Sequence, residues 1–129
     1  MRSEIFTICD YAADNNGKLT IVGTFTRYIV NALPAQIISF AVVARLRYEK
    51  GEEMTPLFNI VIKNSEGKAI LDAPIKANLL TTDIPDRVCN VVINVAGMPL
   101  EQLGRYDVLL TTDNASFTTS FYVLKRDEQ

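Results

Sequence analysis

Apolar residues recur at every second position along most of this chain, the period of a strand with one buried face. The pattern is clearest near the end. Tyr106, Val108 and Leu110 alternate with Arg105, Asp107 and Leu109, and Phe117, Phe121 and Val123 follow on the next run. Asp113-Asn114 separates the two, so 105–112 and 116–124 read as a hairpin. At the other end, 4–12 and 18–30 read as strands joined at Asp14-Asn15-Asn16-Gly17, because Asn-Gly takes up positive φ at low cost. Within 18–30, Thr20, Val22, Thr24 and Thr26 stand opposite Leu19, Ile21 and Phe25, and Gly23 predicts a bulge or a close approach.

After Asn31-Ala32-Leu33-Pro34, the alternation over 36–48 places Ile38, Phe40, Val42, Ala44 and Leu46 inward. Ile37, Ser39, Ala41, Val43, Arg45 and Arg47 then face the other way. A strand over 56–63 carries Phe58, Ile60 and Ile62 on one side. Pro74 makes 69–80 an edge strand. Over 87–96, Cys89, Val91, Ile93 and Val95 alternate against Asn90, Val92 and Asn94. Residues 98–103 read as a corner of one helical turn at most, and 49–53, 82–86 and 125–129 as solvated loops and a tail. About eight strands with no longer helix predict an all-β fold, a two-sheet antiparallel sandwich in a single domain over 1–129.

Leu103-Gly104-Arg105-Tyr106 is a Gly-x-Tyr entry into a strand. Immunoglobulin-like sandwiches place a tyrosine there, ring in the core and hydroxyl bonded back to the preceding corner. Gly17, Gly23, Gly104 and Tyr106 are therefore the expected structural positions. Val108 stands where antibody domains have a cysteine, and the chain has no tryptophan, which excludes an antibody-type domain.

Composition mainly excludes. The chain has no histidine, so a Ser-His-Asp triad, a Cys-His pair and His-ligated zinc are out of reach. Cys9 and Cys89 are not a Cys-x-x-Cys pair and read as buried, reduced thiols. Gly17-Lys18 lacks the rest of a phosphate loop. Asp14-Asn15-Asn16-Gly17 resembles a calcium-loop fragment, but Lys18 takes a ligand position and no glutamate closes it. Asp83 and Asp86 flank Pro85 as solvated charges, and Asn114-Ala115-Ser116 reads as turn chemistry. No catalytic residue, metal or cofactor is expected.

A net charge of −2 gives no general attraction to nucleic acid or anionic membrane. Arg27, Arg45, Arg47 and Arg105 are spread over several strands, some near Glu49, Glu52 and Asp107, as in ordinary surface pairing. No apolar run approaches the ~20 residues of a membrane span, and Met1-Arg2-Ser3-Glu4 does not open a signal peptide. The expectation is a cytoplasmic protein.

Asp10-Tyr11-Ala12-Ala13 followed by Gly17-Lys18-Leu19-Thr20-Ile21-Val22-Gly23-Thr24-Phe25 resembles the N-terminal signature of an uncharacterised family of small bacterial and phage β-sandwich proteins, a domain of unknown function. Leu103-Gly104-Arg105-Tyr106 and Phe121-Tyr122-Val123 match how such chains finish, so the resemblance spans essentially the whole chain. It implies a sandwich without a transferable active site or cofactor. Because phage proteins are included, it also implies a particle or mobile-element component as one form of the role.

The leading expectation is a non-enzymatic protein-interaction or assembly module. If the strands over 36–48, 105–112 and 116–124 lie side by side, Ala41, Val43, Leu109, Tyr122 and Leu124 form one apolar outer face rimmed by Arg45, Arg47 and Asp107. That face either meets a protein, another copy or a different chain, or is scattered or covered by the chain's own loops. The alternative is a carbohydrate-type ligand-binding sandwich with Tyr11, Tyr28 and Tyr122 as stacking faces. An enzyme of unknown type comes third.

Overall fold

Where apolar residues alternate with polar ones, the chain extends and pairs, and it does so over nearly all of the residues described by the computed structural model, 1–53, 55–79 and 87–127. The strands are β1 (Arg2–Asn15), β2 (Lys18–Thr24), β3 (Arg27–Val30), β4 (Ala35–Arg47), β5 (Leu57–Lys63), β6 (Ala69–Lys76), β7 (Asn78–Leu79), β8 (Val88–Leu100), β9 (Gly104–Thr111) and β10 (Ser116–Lys125). They form two five-stranded sheets, ordered β2-β1-β4-β8-β7 and β3-β10-β9-β5-β6. There is no helix among the described residues. The fold is all-β in two sheets, with Asp83 and Asp86 outside the described residues.

Phe40, Val42, Leu46 and Val91 of the first sheet share one buried core with Ile60, Ile62, Val108, Leu110 and Phe121 of the second. The Phe121 ring lies 5.3 Å from Tyr106, 6.0 Å from Phe25 and 6.4 Å from Phe40 between ring centres, so aromatic contacts tie the two sheets together. The corner tyrosine is as expected. Tyr106 is buried, and its hydroxyl donates to the Gln102 carbonyl at 2.8 Å. Tyr106→Phe is expected to cost about 1–2 kcal/mol by leaving that carbonyl unpaired. An unchanged urea midpoint would mean that water satisfies the group at no cost.

Several sequence expectations need correction. The sheets are not wholly antiparallel, because β3 runs parallel to β10. The run 18–30 is two strands: β2 stays in the first sheet, the chain crosses at Phe25-Thr26, and β3 enters the second sheet. The run 69–80 divides similarly at Ala77, with β6 at the edge of the second sheet, as Pro74 requires, and β7 at the edge of the first. β8 continues through Met98 and Leu100, which enter the core, so the corner is shorter than expected.

The inward set of β4 also changes phase. Ile37 is buried and Ile38 is 75% exposed, the reverse of the alternation counted from Phe40. The Ile38 position opposite Gly97 is missing from the β4–β8 register, and Gly97 has φ of 67°. The ladder is interrupted at that pair, and the side chains change face between Ile37 and Phe40.

The β1–β2 hairpin has the turn its sequence predicts: Asn16 and Gly17 have φ of 53° and 88°, and the Asp14 carboxylate accepts the Gly17 N–H at 2.9 Å. Higher up, Asp10 and Gly23 are missing from the otherwise continuous β1–β2 register, and Gly23 has φ of 70°. A Cβ at Gly23 would come within 2.4 Å of Asp10 Oδ2, so the expected close approach is there. From this break the hairpin folds across the outer face of the first sheet. Ala12, Leu19 and Ile21 pack on Cys9, Ala41, Val43 and Val92. At the tip, the Gly17 carbonyl accepts from Arg45 Nη2 and Asn90 Nδ2, both at 3.2 Å, and Arg45 Nε donates to Asn90 Oδ1 at 3.1 Å.

Cys9 lies under the hairpin, whereas Cys89 points into the core, so the two free thiols occupy opposite faces of one sheet. Burial pushes the Cys89 thiol up to about 11, partly offset by a hydrogen bond with Tyr48. A thiol harder to ionise folded than unfolded stabilises the fold below its ordinary value of 9.0, and that contribution is lost as pH rises to about 11. Cys89 is expected to contribute a fall of about 1–2 kcal/mol across that window. Cys89→Ala should make that part of the curve shallower, with buried Cys9 retaining its own share. An equal fall in the variant would assign the loss to other groups.

Candidate protein-binding face

The anticipated apolar face is divided between two sheets. β4 pairs with β1 and β8, not with β9 or β10, so Ala41 and Val43 lie on the side of the molecule opposite Leu109, Tyr122 and Leu124. Ala41 and Val43 are buried by the hairpin. Arg45 holds the hairpin tip, and Arg47 pairs with Glu4 at 2.8 Å. None of these four residues belongs to an open face. At Ala41 and Val43 the β1–β2 hairpin, rather than a loop, covers the outer side of the first sheet.

The second sheet keeps its outer residues open. On β10, inward Phe121 and Val123 leave Tyr122 and Leu124 outside, 47% and 40% exposed. Tyr122 stands in register between Arg27 on β3 and Arg105 on β9, and Leu124 stands beside Ile29, itself 50% exposed. Leu103, also exposed, precedes Gly104, the partner of Val123, and so lies at the same end of the patch. Leu109 is half-buried between Thr118 and Val61. Arg105 pairs with Asp107 at 3.1 Å. Sequence reasoning missed Arg27 and Ile29, because assigning 18–30 to one strand hid their passage to the second sheet.

Other concavities are smaller in promise. A cavity of about 230 Å³ beside the tyrosine corner is lined in part by Asn64, Lys68, Glu101 and Tyr106. Two of these residues are engaged in the fold: Asn64 Oδ1 accepts from the Glu66 and Lys68 N–H groups, and the Tyr106 hydroxyl donates to the Gln102 carbonyl. The three tyrosines of the carbohydrate reading do not converge. Tyr11 is on the hairpin, Tyr28 packs against the core, and Tyr122 is on the second sheet's outer face.

No helix among the described residues is long and apolar enough to cross a membrane. No curated protein and no solved structure matches the chain. The family of unknown function DUF6941 matches residues 4–123, nearly the whole of the two-sheet fold just described, and the chain belongs to that family.

Proposed function

We propose that this chain is a non-enzymatic protein-interaction module that docks a protein on the outer face of its second sheet, around Tyr122. One observation carries the reading: an exposed tyrosine stands beside two exposed aliphatic residues, Ile29 and Leu124, with an arginine in register on each side. Tyrosine and arginine are enriched where proteins meet. An aromatic side chain adds contact area at little entropic cost. The tyrosine corner supports an immunoglobulin-like reading of the architecture. A place in a phage or other assembly is one form of this role, and a homo-oligomer is another.

A photo-crosslinking phenylalanine analogue at position 122, expressed in the native host, tests the reading. A discrete protein adduct is expected at 122 and none at position 22 on the opposite side, with Leu124→Lys abolishing it. No adduct at 122, or the same adducts at both positions, would sink the proposal. The adduct mass separates a second copy from a different protein.

A further inference from the structure

β3 ends the second sheet, and its backbone is half used. The carbonyls of Thr26 and Val30 accept from the Tyr122 and Arg126 N–H groups of the β10 side. Successive backbone groups of a strand point to alternate sides. The N–H and C=O groups of Arg27 and Ile29 therefore point to the open edge, where no strand pairs with them among the described residues. Edges are commonly blunted by short length, by charged side chains, by proline or by inward-pointing charge, and four-residue β3 with its Arg27 has the first two. Arg-Tyr-Ile-Val has no proline, and its inward residues are Tyr28 and Val30.

The surroundings of this edge select a partner by charge. Arg27 is exposed on it, with no acidic partner among the described residues, and Lys125 and Arg126 lie against Val30 at its far end. Asp127 follows Arg126, and Asp107 is paired with Arg105, so cations predominate along β3 itself. The exposed Ile29 supplies an apolar contact between them.

Resting on the protein-interaction reading, we infer that the open edge of β3 accepts an extended peptide segment as an added strand, one in which acidic and aliphatic residues follow each other at every second position and so share the outer face. Its backbone pairs with Arg27 and Ile29, its carboxylates meet Arg27 and the Lys125-Arg126 end, and its aliphatic residues lie on Ile29 and Leu124. Main-chain hydrogen bonds carry the affinity of such strand addition, and side chains set its specificity. A second copy of this chain is a poorer occupant, because pairing β3 with itself would bring the two Arg27 side chains close together across a short edge.

The test uses the full chain and a short acetylated peptide, Glu-Thr-Val-Thr-Glu-Thr-Val, whose Glu and Val side chains share one face when extended, followed by amide NMR. Binding is expected to shift the Arg27 and Ile29 amides and slow their exchange with solvent. The same peptide with Lys in place of Glu should not bind. The Glu peptide N-methylated on the paired side should bind roughly tenfold or more weakly. Ile29→Pro removes one open-edge N–H, leaves the groups paired with β10 intact, and should abolish binding with the fold retained. If that variant unfolds, the N-methylated peptide decides. Equal binding of the methylated peptide, or shifts centred on Leu109 and Val61, would leave face docking in place and overturn strand addition. No binding at millimolar peptide would also overturn it. So would protection of the Arg27 and Ile29 amides that rises with protein concentration alone, which would make a second copy the occupant. The crosslinking result at position 122 stands or falls separately from each of these outcomes.

Discussion

Val43→Glu is expected to unfold the protein, or to destabilise it by roughly 3–5 kcal/mol, the scale for an unpaired charge in an apolar interior. Val43 lies on the outer side of its sheet, where a charge would ordinarily be solvated. Here it is 0% exposed, held among Cys9, Ala12, Ala41, Leu19, Ile21 and Val92. The hairpin cannot admit a carboxylate without lifting away and losing the Gly17 bonds to Arg45 and Asn90. Domains are stable by only about 5–15 kcal/mol, so this one change takes a large share. Leu109→Lys, on the outer face of the second sheet, should cost about 1 kcal/mol or less, because the long side chain reaches water. Urea denaturation of the two single variants separates them. Equal, small losses would show that the hairpin does not seal Val43 from solvent.

Phe121→Ala is expected to cost about 3–5 kcal/mol, the range for truncating a buried aromatic residue. The side chain is buried, and its ring touches Tyr106 within its own sheet, Phe40 in the opposite sheet and Phe25 at the crossing between β2 and β3. Its loss leaves a cavity bordered by three rigid rings that collapse poorly into it. The same truncation at Phe117, which packs only at the margin of the core, should cost clearly less. A comparable cost at both positions would mean that the ring cluster contributes no more than its buried area.

Local features of this chain are legible from the residues alone. Asn16-Gly17 marks the tight turn because both positions need positive φ. Tyr106 marks the corner because a buried hydroxyl needs a nearby carbonyl, and Gln102 provides it. Pro74 marks an edge because it has no N–H to donate. A further signal was present on β4. Ala41 and Val43 are apolar opposite an apolar inward row, the composition of a strand covered on both faces. Leu19 and Ile21 on the neighbouring hairpin supply that cover.

Local pattern alone settles an all-β chain, most strand positions, most of the inward and outward alternation with Ile37 and Ile38 excepted, and the turns, because each depends on conformational preferences within a few residues. Tertiary structure alone decided which strands are neighbours. It put β4 beside β1 and β8, sent 27–30 to the second sheet beside β10, and folded the β1–β2 hairpin over Val43. Backbone hydrogen bonds between strands are nearly the same whatever the side chains, so many pairings satisfy one alternating pattern. The choice among them falls to the fit of the whole core, where Phe25 and Phe40 meet Tyr106 and Phe121 of the distant β9–β10 hairpin. That choice left Tyr122 open and closed Val43, although alternation had placed both on the outside.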